Sequence, residues 1–310
     1  MFQSHNYLFT KKRYDEYVKS NHIQFNYYNN YSTILGTNKP YVTKSSKSTS
    51  DIVEAIDVTD DIGWSCSIKS VQMLLGFYFI KWGVSHNIVE HLYKDTGELS
   101  IHSFIKKCTE RNCKEQLGDY FGVYTVLQIY KLILNKCNNL FKLAHPVYDY
   151  IHITTDNIID IDKLNRYEPT ILIFSTRLGM HKLEDFYKDM ILYLFTCPFF
   201  DGLLGGVGKS CYYFMAKHTH LDNLIYLDPH FVTDYNTNIS HDDIKAFNYL
   251  STHIDNLNPS LTFCFSYTTN DEFMELKKFI EKNTIFNILH KPDNTTKNQN
   301  IKIDKDWELC

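Results

Sequence analysis

The run SIKSVQMLLGFYFIK, residues 67–81, constrains this chain more than any other segment. It is long and apolar enough to form a helix buried on nearly every side, and a glycine-containing turn, DIGW at 61–64, leads into it. A helix of that kind needs other layers packed around it. The rest of the chain offers them. Residues 123–137 place Val126, Ile129, Tyr130 and Ile133 at helical spacing. TILIFS (170–175), SCYYFMA (210–216), NLIYLD (223–228) and LTFCFSY (261–267) read as strands, with helical patterns at 183–195, 240–249 and 270–283. Strands rich in Tyr, Phe and Ile, with a long helix early in the chain, predict an α+β domain.

At 310 residues, one domain can hold a substantial core. We expect it over residues 1–289, with a polar loop at 37–50 (TNKPYVTKSSKSTS) and a flexible C-terminal tail over 290–310. The net charge is −4, with acids and bases interspersed, so no basic footprint for nucleic acid exists and no such partner is expected. The N-terminus lacks a signal-peptide pattern, and no window reaches eighteen uninterrupted apolar residues. A cytoplasmic protein is expected, with membrane contact peripheral. The eight cysteines form no CxxC pair, and Cys108 and Cys113 lack a second pair nearby. Reduced thiols follow, with no metal and no cofactor.

Cys66 stands where the turn meets the long helix. A thiol at a helix N-terminus faces unpaired N–H groups and the positive end of the dipole, which favour the nucleophilic thiolate. Alone, the position also suits a small core residue. Thiolate chemistry needs an imidazole as well. In NLIYLDPHFVTD a β-run ends at Asp228, Pro229 interrupts pairing, and His230 follows. Residues i and i+2 of an extended chain share a face, so Asp228 can act on the His230 ring. By itself LDPH also suits a strand-ending turn. His218 and His220 lie in a polar stretch that reads as a hairpin tip, and His181 lies in a turn without an adjacent acid. GxSxG and HExxH do not occur. DGLLGGVGKS (201–210) lacks phosphate-loop spacing and precedes a strand, so it reads as a flexible loop able to move beside a site.

Together these segments resemble the autophagins, cysteine proteases that process the ubiquitin-like modifier of autophagy. Gly63, Trp64, Ser65 and Cys66, then Gln72, Met73 and Leu74, resemble the family's GWGC motif and its helix. GLLGGVGKSCYYFMA resembles its glycine-rich regulatory loop and following strand, and Asp228-Pro229-His230 its catalytic Asp-Pro-His. LGDYFGVYTVLQ resembles the segment whose aromatic residue covers the cysteine, with Tyr120 in place of Trp, and LNPSLTFCF resembles a further block. The resemblance spans residues 60–285.

The resemblance implies a papain-like fold, with the nucleophile helix packed on a mainly antiparallel sheet. It also implies Cys66, Asp228 and His230 as catalytic residues, with Trp64, Tyr120, Gly205 and Gly206 at the substrate. Two reactions follow: trimming the modifier precursor to its C-terminal glycine, and releasing that glycine from phosphatidylethanolamine. The partner is then the modifier, free and lipid-conjugated, with membrane contact through the substrate and the enzyme a monomer. Three departures stand out. Ser65 replaces a glycine. The family's FTYR-type stretch, whose Tyr helps bind the oxyanion, is absent from its expected place about twenty residues before Cys66; YLFTKKRY (7–14) and Tyr41 are weak substitutes. The end DKDWELC offers Trp307 to a modifier-docking motif, but with Cys310 where an aliphatic residue belongs. Two other readings are open: a pseudoenzyme that binds the modifier without cutting it, and a protease of the ubiquitin-fold modifier.

Overall fold

The computed structural model describes residues 1–4, 7–37, 55–83, 88–135, 151–155, 158–160, 164 and 169–289. The expected loop at 37–50 beyond Thr37 and the expected tail at 290–310, with Trp307, lie outside the described residues.

The chain opens with β1 (Phe2–Ser4), β2 (Tyr7–Phe9), α1 (Lys11–Asn21), β3 (Tyr27–Asn29), β4 (Ile34–Thr37) and β5 (Ala55–Val58). Next come α2 (Cys66–Lys81), α3 (Ile101–Glu110), α4 (Val123–Leu134), β6 (Ile151–Thr155), β7 (Ile158–Asp160) and β8 (Thr170–Arg177). The second half holds α5 (Asp185–Leu194), β9 (Phe200–Val207), β10 (Ser210–His218), β11 (Asn223–Leu227) and β12 (Val232–Asp234). It closes with β13 (Leu250–His253), β14 (Leu257–Tyr267), α6 (Asn270–Glu281) and β15 (Asn287–Leu289).

The main sheet runs β13-β11-β10-β9-β14-β8-β6, with β1 on β10 and β2 on β1. Its pairings are antiparallel except β6 with β8, as expected of a mainly antiparallel α+β domain. Alternation along the strands builds two cores. Ile171, Ile173, Leu204, Tyr213 and Ile225 face α2, α3 and α4. Their neighbours Leu172, Phe174, Leu203, Phe214 and Leu224 face α5 and α6. Both faces of the sheet are covered, which is why its central strands read as near-continuous apolar runs.

Helix α2 is buried from Cys66 to Phe79, as its composition predicts. Gln72 anchors it by donating to the carbonyls of Leu92 (3.0 Å) and Leu99 (2.9 Å).

Two expectations fail. Residues 240–249 form no regular helix: a single 3-10 turn spans His241–Ile244 and β13 follows. The Asp243 carboxylate turns back onto Ser240, accepting from its N–H and hydroxyl at 2.8 Å each, which closes that turn. The next residues are drawn into extended pairing with the 22–24 segment, where Ala246 N–H donates to the His22 carbonyl at 3.0 Å. The second failure is the supposed flexible loop at 201–210. Its first part belongs to β9, paired with β10 from Leu203 to Val207 and with β14 along most of its length, and the turn is the two-residue hairpin Gly208-Lys209. Gly208 has φ +63° at the first loop position, where a type II′ turn requires glycine.

A bulge in β9 opposite Cys264 and Phe265 sets Gly202 at φ +117° and aims Asp201 at α2. Asp201 accepts there from Lys81 (2.7 Å) and Tyr78 (3.1 Å). A Cβ on Gly202 would stand 2.3 Å from the Phe214 carbonyl oxygen. Gly202→Ala is therefore expected to destabilise the fold by about 1–3 kcal/mol, the usual cost of such backbone strain, read as a lowered urea midpoint.

Candidate active site

Cys66 is the first residue of α2 and is 2% exposed. Gly63, at φ +84°, makes the turn into the helix. Ser65 adopts φ −96°, ψ 4°, and with φ negative the backbone here does not require the family glycine. Two hydroxyls fix the start of the helix. Ser67 donates to the Phe121 carbonyl at 2.6 Å, and Ser70 donates to the Cys211 carbonyl on β10 at 3.3 Å.

Asp228, Pro229 and His230 follow β11, as expected. His230 Nδ1 lies 2.6 Å from Asp228 Oδ1, and the same oxygen accepts from the His230 backbone N–H at 2.9 Å. The backbone of this tripeptide is held by the segment leading into β3. Gln24 donates to the Asp228 carbonyl (3.1 Å), and Tyr27 N–H to the carbonyls of Pro229 (2.8 Å) and Phe231 (3.0 Å). Rings flank the imidazole: Tyr27 edge-on at 5.2 Å and Tyr212 at 5.1 Å between centroids.

The His230 imidazole is in hydrogen-bonding reach of Cys66. Burial lowers its pKa, but the Asp228 hydrogen bond, followed by the hydrogen bond and charge of Cys66, outweighs burial and lifts it to about 9. The ring is therefore an imidazolium at neutral pH, held by a carboxylate on one nitrogen and facing sulfur with the other.

Sequence reasoning missed Tyr27. It is 4% exposed, packs against Cys66 and Cys211, and has its hydroxyl in hydrogen-bonding reach of the Cys66 sulfur. Burial, then the charge and hydrogen bond of Cys66, push the phenol well above its ordinary pKa, so it stays a donor. The run Phe25-Asn26-Tyr27-Tyr28 is an aromatic stretch of the kind expected nearer the nucleophile. It lies 39 positions before Cys66, displaced by the interval that contains the polar run at 37–50. Discounting that run would have found it. The substitutes fail: Tyr7 is exposed on β2 and Tyr14 is buried against Phe2 and Tyr249. Both lie where β1 meets β10 at Lys217 and His218, away from Cys211. Tyr41 lies outside the described residues.

A groove of about 860 Å³ opens beside the nucleophile. Tyr120 and Tyr124 stand on one wall, and Gly205, Gly206 and the Gly208-Lys209 turn line the other side. Val123 and Cys211 line it too, and both pack in the cluster around Cys66. Tyr120 is half-exposed, and burial followed by the charges of Cys211 and Cys66 raises its phenol. Trp64 does not line this groove. It is 6% exposed and packs on Phe121 at 6.5 Å, supporting the Tyr120 segment from below. Arg177, His181 and Lys209 also face the groove, and among the described residues no acidic one does.

The family model for the peptidase C54 catalytic domain matches residues 11–279. This chain belongs to the peptidase C54 family. The cysteine protease ATG4 of Candida albicans is 28% identical over 228 residues, covering 71% of this chain and 51% of that protein. A probable cysteine protease ATG4 of Scheffersomyces stipitis is 24% identical over 221 residues, covering 68% and 43%. One from Penicillium rubens is 25% identical over 305 residues, covering 87% and 75%. The chain thus spans about half the length of the first two of these C54 relatives. The family read from the sequence is the family that matches.

Because His230 titrates near pH 9, above the ordinary value of about 6.5, the charged ring stabilises the folded state fully below pH 6.5. That contribution disappears as pH rises through about 9. An NMR titration of His230 is expected to show that midpoint. Asp228→Asn, which removes the leading favourable contact, is expected to lower it; an unmoved midpoint would contradict the assignment.

Proposed function

We propose that the chain is a cysteine protease that cuts the amide after the C-terminal glycine of an autophagy ubiquitin-like modifier, both processing its precursor and releasing it from phosphatidylethanolamine. The observation that carries this reading is Cys66 at a helix N-terminus, within reach of an imidazolium that Asp228 holds charged. In that arrangement the Cys66 thiolate attacks the glycine carbonyl. His230 gives its proton to the leaving amine, and water then hydrolyses the thioester with His230 as base. The oxyanion meets the N–H groups of the first turn of α2, which have no intrahelical partners, and the Tyr27 hydroxyl.

The groove supports the substrate class. An extended peptide can lie along it toward Cys66 between the Tyr120 wall and the glycine strand. Its three basic residues complement an acidic side chain on the peptide. With C-terminal glycine as acyl group, the leaving group can be a peptide or a lipid amine, because the chemistry at the carbonyl is the same.

Incubating the purified chain with a tailed modifier precursor and reading products by mass spectrometry tests the proposal. Wild type is expected to leave a C-terminal glycine; Cys66→Ala is expected to bind the precursor and leave it intact. Binding without cleavage by wild type would favour the pseudoenzyme. Tyr120 partly covers the approach to the nucleophile, so Tyr120→Ala is expected to speed alkylation of Cys66 by iodoacetamide. Equal rates would mean that Tyr120 gates nothing.

A further inference from the structure

The nucleophile and Tyr27 come from segments far apart in sequence, and a buried charge cluster ties those segments together. Asp61 is fully buried in the turn before α2. Its Oδ1 accepts from the Tyr28 N–H at 2.6 Å, and its own N–H donates to the Tyr28 carbonyl at 3.1 Å. Its Oδ2 accepts from the Tyr31 hydroxyl at 3.2 Å. Lys69, one turn after Cys66 on α2, meets that same Oδ2 at 2.8 Å and donates to the Tyr31 hydroxyl at 2.7 Å. Its ammonium also lies 4.6 Å from the centre of the Tyr28 ring.

We propose that Asp61 is a positioning residue for catalysis: by gripping both backbone groups of Tyr28, it sets the Tyr27 hydroxyl against the reacting centre at Cys66. The inference rests on the reading of Tyr27 as an oxyanion donor. A carboxylate is suited to the grip because its two oxygens take the strand amide and the Tyr31–Lys69 side in one geometry. Lys69 is required beside it. A lone buried carboxylate near Cys66 would oppose both the thiolate and the oxyanion, and the ammonium cancels that field. Burial sets the pKa of Lys69 below its ordinary value, and the charge and hydrogen bond of Asp61 oppose that fall. The Asp61 clamp acts on the strand through the backbone, so its loss misplaces the Tyr27 hydroxyl without altering the groove that holds the substrate.

The test compares Asp61→Ala/Lys69→Met with Asp61→Asn/Lys69→Met. Both remove the two charges together, so neither leaves an unpaired buried ion. Asn keeps an oxygen for the Tyr28 N–H. With the tailed precursor, the Ala variant is expected to lose about 10²-fold in kcat, the scale of an ångström-level misplacement, with KM within about threefold. The Asn variant is expected to recover at least about tenfold of that loss. Tyr27→Phe is expected to lose about 10²–10³-fold, and adding either double substitution to it is expected to cost little more. A full additional loss in the Tyr27→Phe background, or a rise in KM with kcat unchanged, overturns the proposal. A second readout needs no substrate. Alkylation of Cys66 by iodoacetamide at pH 7 is expected to slow in Tyr27→Phe and in the Ala variant, and no further when they are combined. Additive slowing overturns the proposal. If wild type fails to cleave the precursor, the functional reading falls, while the alkylation cycle still decides the positioning role. Near-UV circular dichroism reports folding, and if the Ala variant does not fold, the Asn variant carries the same cycle.

Discussion

Helix α2 is held by an ion pair near each end, a buried one at its start and a partly exposed one at its finish, and the geometry of the site depends on this. Toward its N-terminus Lys69 meets Asp61 at 2.8 Å; toward its C-terminus Lys81 meets Asp201 at 2.7 Å. The buried Lys69–Asp61 pair is a poor source of net stability, because desolvation offsets its attraction, but removing either partner strands a buried charge at a cost of about 3–5 kcal/mol. The effect of the two pairs is to fix the helix in one place. Asp201 belongs to the bulge of β9, the strand whose later glycines line the groove. Asp61 belongs to the turn that carries Cys66 into the helix and grips the strand that carries Tyr27. One helix therefore registers the nucleophile, Tyr27 and the groove against one another.

The charges at the site reinforce that registration. Cys66 is nearly inaccessible to water, and electrostatic interactions are stronger in such surroundings than in bulk solvent. His230 has a defined orientation because Asp228 takes its Nδ1 and two tyrosine rings flank it. Tyr27 has three parts to play at once. Its N–H fixes the backbone of Pro229 and Phe231, its ring packs on His230, and its hydroxyl reaches Cys66. The pressure of a buried, negatively charged neighbourhood on that phenol keeps it protonated, the form needed in a donor.

The helix at 67–81, the strands at 170–175, 210–216, 223–228 and 261–267, and the placement of Cys66, Asp228 and His230 were legible because each depends on short-range pattern. A long apolar run, a period-two strand and an i, i+2 pair need no knowledge of the rest of the fold. What failed depended on distant partners. Residues 240–249 have a helical pattern, yet pairing with the 22–24 segment wins over it. The glycines of 202–208 read as a flexible loop, because glycine's local preference is for turns, yet β10 and β14 recruit most of that run as a strand. Tyr27 was missed because its relation to Cys66 is spatial: a parallel pairing of β3 with β12 brings Val232 opposite Tyr27 and so delivers it beside His230. Distance along the chain was the wrong measure there, since an intervening polar run changes sequence spacing while leaving the pairing intact.

The shape of the groove bears on what the site would accept. A Cβ on Gly205 would stand 2.5 Å from Leu261 Cδ2, and one on Gly206 would stand 2.5 Å from Asn258 Nδ2. Neither glycine is needed for a positive φ; each is needed because β14 leaves no room beside β9. The space a side chain would need at either position is filled by Leu261 and Asn258, so neither glycine can be replaced without moving those neighbours. The opposite wall is Tyr120, set over buried Phe121 and Trp64. The β9 side of the groove is therefore set by the close packing of β9 on β14.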